Sequence, residues 1–287
     1  MAQARIGVIG GSGLYDIEGM TDIEEVEIET PFGKPSDAIT VGKLGGVGIA
    51  FLPRHGKGHR ISPTELPARA NIYAMKSLGV EYIISVCSAG SFKKEIEPGH
   101  LLIPDQLIDR TRNRVNSFFE GGIVAHIPFA DPFCPVLSQV LFECAREAGA
   151  TVHPSGTFVV MEGPAFSTRA ESRLYRSWGA DIIGMTALPE AKLAREAEIC
   201  YAIIGCVTDY DSWWHSAEPI TIDVILDTMR RNVGTAKRII KLAVGRIPET
   251  RDCPCATALG VAIVTQAKSI PAKQKKKLGL IISKYIT

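Results

Sequence analysis

Residues 199–211 read ICYAIIGCVTDYD, and within the strand expected at Tyr201 to Val207 the run from Ile203 to Val207 carries no polar side chain. A strand with one wet face alternates apolar and polar residues, so a run without alternation belongs to a strand buried on both faces, as in a largely parallel sheet covered by helices. The same short, β-rich pattern recurs at Arg5 to Ile9, Ala38 to Lys43, Val47 to Leu52, Glu81 to Val86, Thr157 to Glu162 and Asp181 to Met185. Segments of helical period lie between these runs. Pro135 to Ala148 places Val136, Leu137, Val140, Leu141 and Cys144 on one stripe and stops at Gly149. Thr168 with Glu171 forms a capping box, and a long helix is expected from Thr221 to Val244. The fold class is therefore α/β: a single domain with a twisted, mixed, largely parallel central sheet flanked by helices.

A catalytic unit over residues 1–250 is expected, with residues 251–287 as a helical extension of the same domain, because composition breaks at Pro248 to Pro254. The polybasic Lys273 to Lys277 reads as a solvated helix start. Thirty-two basic against 31 acidic residues give a net charge of +1, so no global field draws the protein to nucleic acid or an anionic membrane, and any bound anion needs a local site. The apolar run at the amino end is too brief for a signal peptide, and nothing approaches a spanning segment, which predicts a cytoplasmic protein. Seven cysteines leave at least one unpaired within a chain.

Ligands in such sheets gather where strands end, so the residues after each strand carry the chemistry. Gly10-Gly11-Ser12-Gly13 can turn backbone N–H groups toward an anion, or be a plain tight turn. It is not a dinucleotide fingerprint, since Asp16 stands where the third glycine belongs. Pro53-Arg54-His55-Gly56-Lys57-Gly58-His59-Arg60 can wrap a phosphate, with Arg54 the best candidate because a guanidinium bonds two oxygens at once; the alternative is an exposed basic loop. Glycines between His55 and His59 argue against a helical zinc pair, and no metal is expected. Cys87-Ser88-Ala89-Gly90-Ser91 permits close backbone approach, and Thr186 either meets a ligand or caps the following helix. Thr208-Asp209-Tyr210-Asp211 puts two carboxylates on one side of an extended chain, close enough to raise one pKa and make a proton donor, unless both simply bond turn backbone. A phosphate cradle with an acidic group suits phosphate-dependent cleavage or transfer.

Eight stretches in order, IGVIGGSGLYD, TPFGKPSD, RHGKGH, EIEPGHLLIPDQLIDRT, HIPFADPFCP, MEGPAFSTRAES, MTALPEAKLAREAEICYA and VTDYDSW, resemble the 5′-methylthioadenosine phosphorylase family within the purine nucleoside phosphorylase fold. The resemblance implies that Ser12, Arg54, His55 and Thr186 bind phosphate, with the loop at Cys87 and Ser88. It further implies that Met185 lies against the ribose, that Phe166 and Ser167 line the base pocket, and that Asp209 and Asp211 face the purine. Relatives commonly carry a hydroxyl where Cys87 stands; a thiol donates weakly, so Ser88 or a backbone N–H is the alternative contact. Phosphorylases of 6-oxopurines typically place Glu at 167 and Asn at 209, whereas a carboxylate at 209 suits a 6-amino group. Ile222, Ile225 and Leu226 stand where a methylthio group would sit, and His126 matches a histidine given by a neighbouring subunit, so a trimer or dimer of trimers is implied.

The reaction so implied is phosphorolysis of 5′-methylthioadenosine to adenine and 5-methylthioribose 1-phosphate, with Asp209 stabilising the departing base and no metal or organic cofactor. A phosphorylase of 6-oxopurine nucleosides is the nearest rival. A dinucleotide oxidoreductase conflicts with the glycine spacing, and a thiol redox protein would rest on Cys253-Pro254-Cys255. Cys134 and Cys200, both inside family motifs, are expected to pair, as are Cys253 and Cys255, with free buried thiols as the alternative.

Overall fold

The computed structural model describes residues 4–11, 13–14, 17–214 and 222–286, with backbone alone for 222–226. In chain order the strands are β1 (Ile6–Gly10), β2 (Met20–Val26), β3 (Ile39–Leu44), β4 (Val47–Pro53), β5 (Tyr82–Ser91), β6 (Leu101–Leu102), β7 (Gln106–Arg110), β8 (Val152–His153), β9 (Thr157–Met161), β10 (Ile182–Gly184) and β11 (Cys200–Tyr210). The helices are α1 (Ala68–Ser77), α2 (Pro135–Glu147), α3 (Arg169–Ser177), α4 (Ala187–Glu196), α5 (Ile222–Val244) and α6 (Ala272–Ile282). All seven expected strands form, and six of the ten strand pairings among the described residues are parallel.

One path through the sheet runs β2-β3-β4-β1-β5-β10-β9-β7, while β11 lies along the other edge of β5 and leads to β6 and β8. Because β11 pairs with β5 from Cys200↔Tyr82 to Tyr210↔Ser91, these two strands form the spine. Alternation splits their side chains between two layers: Tyr201, Ile203 and Val207 enter the core shared with α1, α4 and α6, whereas Cys200, Ala202, Ile204 and Cys206 enter the one shared with α2 and α5. Burial on both faces is what the unalternating run in 203–207 predicts.

Gly7 shows how tightly the first layer closes, since a Cβ there would stand 3.0 Å from Val80 and 3.1 Å from the Met75 sulfur. The residues after 250 pack into the same layers: Cys253 and Cys255 join the α2–α5 side, and Leu259, Ile270, Leu278, Ile281 and Ile282 the other. The polybasic run opens α6, with Lys277 paired to Glu120 at 2.7 Å.

The cysteine pairings fail. All seven cysteines are free and buried, so neither Cys134–Cys200 nor Cys253–Cys255 is bridged. Instead these four share one cluster, with Cys134 at the N-cap of α2, Cys200 at the start of β11, and Cys253 and Cys255 approaching from the carboxyl-terminal segment.

Candidate active site

β1, β4, β5 and β11 run in one direction, so their carboxyl ends open on one edge of the sheet. β10 approaches that edge from the other side: it pairs antiparallel to the end of β5, with Ile182 opposite Ser91 and Ile183 opposite Gly90. Continuing the register brings Thr186 back to Cys87, and the Thr186 hydroxyl indeed donates to the Cys87 sulfur at 3.3 Å. Although Thr186 is the N-cap residue of α4, its side chain makes no cap bond. Cys87 is 1% exposed, whereas Ser88, on the opposite face of β5, is exposed.

Arg54 leaves β4 and turns inward. Its Nε donates to Glu190 at 2.5 Å, its Nη2 lies 3.2 Å from the second Glu190 oxygen, 2.6 Å from Ser85 and 3.2 Å from the Ile9 carbonyl, and its Nη1 donates to the Val86 carbonyl at 3.0 Å. Burial works against the guanidinium charge, but Glu190 more than offsets it and holds Arg54 protonated. The two-toothed geometry expected for phosphate is thus directed at Glu190, leaving Nη1 one hydrogen to offer a ligand. Glu190 also accepts from Tyr201 at 2.9 Å and Ser85 at 3.2 Å. The next residue, His55, shares 2.8 Å with the Ile61 carbonyl through Nδ1 and stacks on His59 at 4.3 Å. Burial and the neighbouring Arg54 charge push it down to about 4, so His55 is a neutral imidazole with Nδ1 as donor.

The acidic half of the site sits where β11 ends. A bulge between Val207 and Asp209 breaks the ladder with β5. Beyond it, Asp209 and Asp211 flank Gly90, whose missing Cβ would stand 3.4 Å from Asp209 Oδ2 and 3.3 Å from the Asp211 Cβ. Burial raises Asp209 to about 6, the Thr208 hydroxyl at 2.6 Å pulls the other way, and Asp211 adds to the rise. Ser167 donates to Asp211 at 2.7–2.8 Å, and Ser212 donates to the Ser167 carbonyl at 2.8 Å. This joins the MEGPAFS loop to the end of β11. Within that loop Gly163 adopts φ +73°, and a Cβ there would stand 2.6 Å from the Met185 sulfur, so a bare backbone is what lets the loop meet Met185.

Thus Arg54, Cys87 and Thr186 form one connected group, His55 adjoins it in sequence, and Asp209, Asp211 and Ser167 form a second. Phe166 projects from the loop 79% exposed. His126 is exposed, its backbone N–H donates to the Ala262 carbonyl at 2.8 Å, and no hydrogen bond joins it to the other described site residues. Ser12 lies outside the described residues, as do the side chains of Ile222, Ile225 and Leu226. Sequence reasoning did not assign Ser85, Glu190 and Tyr201 a part in the site. Glu190 is 136 residues from Arg54, and long-range charge pairing leaves no local signature.

The model of the phosphorylase superfamily matches residues 5–244. S-methyl-5′-thioadenosine phosphorylase of Geobacter sulfurreducens is 58% identical, covering 98% of this chain and 99% of its own, and that of Thermosynechococcus vestitus is 53% identical over 99% of both. A crystal structure of methylthioadenosine phosphorylase from an antarctic soil metagenomic library has TM-score 0.95 at 46% identity, covering 98% of this chain and 99% of that one. Methylthioadenosine phosphorylase from Schistosoma mansoni in complex with adenine has TM-score 0.82 at 34% identity over 98% of each. With near-complete coverage on both sides, the chain belongs to the phosphorylase superfamily, in its S-methyl-5′-thioadenosine phosphorylase family.

Proposed function

We propose that the protein cleaves 5′-methylthioadenosine with inorganic phosphate, giving adenine and 5-methylthioribose 1-phosphate. The observation that carries this reading is Asp209: a carboxyl raised to about 6, beside a second carboxylate, at the open end of β11. In its protonated form it donates to N7 of the departing purine, and as a carboxylate it accepts from the 6-amino group. Asp211, held by Ser167, keeps that wall of the pocket fixed.

Phosphate sits across the sugar from the base, between Thr186, the exposed Ser88, the remaining Nη1 hydrogen of Arg54 and neutral His55, whose bare Nε2 accepts from a P–OH; the family resemblance adds Ser12 as a further phosphate ligand. Cys87 accepts the Thr186 hydroxyl hydrogen, and that hydrogen turns to phosphate when the anion binds, so the thiol need not serve as a phosphate donor. As the glycosidic bond lengthens, the anion stabilises the oxocarbenium-like sugar and then attacks C1′. Met185 lies against the ribose, Phe166 covers the base, and Ile222, Ile225 and Leu226 receive the methylthio group. Phosphate is a co-substrate, and the chemistry draws on no metal or organic cofactor. The exposed His126 completes a neighbouring subunit's pocket in a trimer or a dimer of trimers, which subunit-mixing with His126→Ala checks. The protein works in the cytoplasm; no helix among the described residues is long and apolar enough to cross a membrane.

The purified protein is expected to release adenine from methylthioadenosine only with phosphate present, and to prefer it over methylthioinosine in kcat/KM. Phosphate-independent release, or a preference for the 6-oxo substrate, overturns the proposal.

A further inference from the structure

Cys134, Cys200, Cys253 and Cys255 are all buried, and their four sulfurs lie within 4.8 Å of one another. The Cys200 and Cys253 sulfurs are 3.3 Å apart. None of the four takes part in the active-site contacts described above. A tetrahedral tetrathiolate with metal–sulfur bonds of about 2.3 Å has sulfurs about 3.8 Å apart, so the cluster already brackets the spacing a metal requires.

We propose that these four cysteines are a structural zinc site, closed by four thiolates and separate from the phosphorylase chemistry. Three features favour this ligand. Thiols are weak donors and weak acceptors, so four of them facing one another in a core bond poorly among themselves, whereas thiolates on a borderline-soft divalent cation satisfy every sulfur. The ligands are supplied by three elements that have to be held together: the start of α2, the start of β11, and the Cys-Pro-Cys turn of the carboxyl-terminal segment. Cys134 stands at the N-cap of the 13-residue α2, where unpaired backbone N–H groups and the helix dipole favour an anionic sulfur. On binding, each thiol gives its proton to solvent and Zn²⁺ takes four sulfur electron pairs; no oxidant enters, and all ligand positions are filled by protein.

Protein purified with reductant and reloaded with zinc is expected to hold about one zinc per chain by elemental analysis. Cobalt(II) in its place should give the intense visible bands and thiolate-to-metal charge transfer of a tetrahedral tetrathiolate. A strong chelator should lower Tm, and zinc should restore it. Cys255→Ser should lose most of the metal, Cys255→His should keep it because imidazole also ligates zinc, and Cys144→Ser, a buried cysteine outside the cluster, should match wild type. If Cys255→Ser fails to fold, the wild-type zinc content and cobalt spectrum still decide. A protein still zinc-free after reloading, with all seven thiols titratable on denaturation, sinks the proposal. So does a denatured, unreduced chain lighter by four hydrogens, which would mean two disulfides.

Discussion

Asp209 carries two measurable consequences of being buried beside a like charge. Asp209→Asn replaces the acid with an amide whose NH₂ faces a 6-oxo group, so kcat/KM for methylthioadenosine should fall by orders of magnitude while that for methylthioinosine falls far less or rises; an unmoved ratio would remove Asp209 as the specificity residue. The second consequence is thermodynamic. From the ordinary value of 3.8 up to about 6 the unfolded chain ionises this group before the folded one does, so its contribution to stability is full below 3.8 and is lost as pH rises through 6. The difference is at most about 3 kcal/mol, since each pKa unit is worth about 1.4. Asn does not ionise, and the Tm of Asp209→Asn relative to wild type should therefore climb between pH 4 and 7; a pH-independent difference would refute this. Arg54→Ala should weaken phosphate binding and also leave Glu190 in the core without its cation, costing about 3–5 kcal/mol of stability. Glu190→Gln with Arg54→Ala should recover much of the stability but not the phosphate affinity, as paired melts and phosphate titrations would reveal. The strand-end motifs made Arg54, Asp209 and Asp211 legible because glycine and acidic residues there have local meaning. That the Arg54 fork points inward was not legible, because its partner comes from α4.

At the scale of the element, β5 does more than bridge its neighbours: its last turn of ladder gives up a side chain at Gly90 so that β11 can bulge against it. Gly90→Ala would press on Asp211, Asp209 and Ile183 at 3.3–3.4 Å. Its kcat/KM should fall by well over tenfold while Tm drops by only a few degrees; a mutant with unchanged kinetics would show that the carboxylates do not depend on this contact. Thr168, whose hydroxyl accepts from the Glu171 N–H while the Glu171 side chain answers the Thr168 N–H, starts α3 one residue after Ser167. Thr168→Ala should cost about 1 kcal/mol, readable by denaturant melts. That capping box was legible in sequence, as were the strands with apolar runs. β2 was not: at the sheet's edge, its MTDIEEV pattern is exposed at most positions, so charged residues mask its period. α1 hid for the opposite reason, burying small and polar residues such as Ala70, Asn71 and Ala74.

Across the whole molecule, both layers are finished by residues far along the chain. A chain ending at Thr250 would lose Leu259, Ile270, Leu278, Ile281 and Ile282, baring the layer they pack on, and would lose two of the four clustered cysteines. It is expected to be insoluble or to melt many degrees lower, whereas a fully soluble truncation with wild-type Tm would show the extension to be dispensable. Sequence marked this segment by its break in composition. It did not reveal that Cys253 and Cys255 meet Cys134 and Cys200, because four cysteines can be matched in three ways on paper and a shared cluster is a fourth arrangement. The late closure also bears on synthesis. Residue 83 of β5 is made long before residues 278–282 of α6 that help seal its side of the sheet, and a ribosome adding about 5–20 residues per second needs roughly 10–40 s to span the gap. Through that interval the nascent sheet presents bare apolar surface, so the growing chain is open to aggregation in a way the finished enzyme is not.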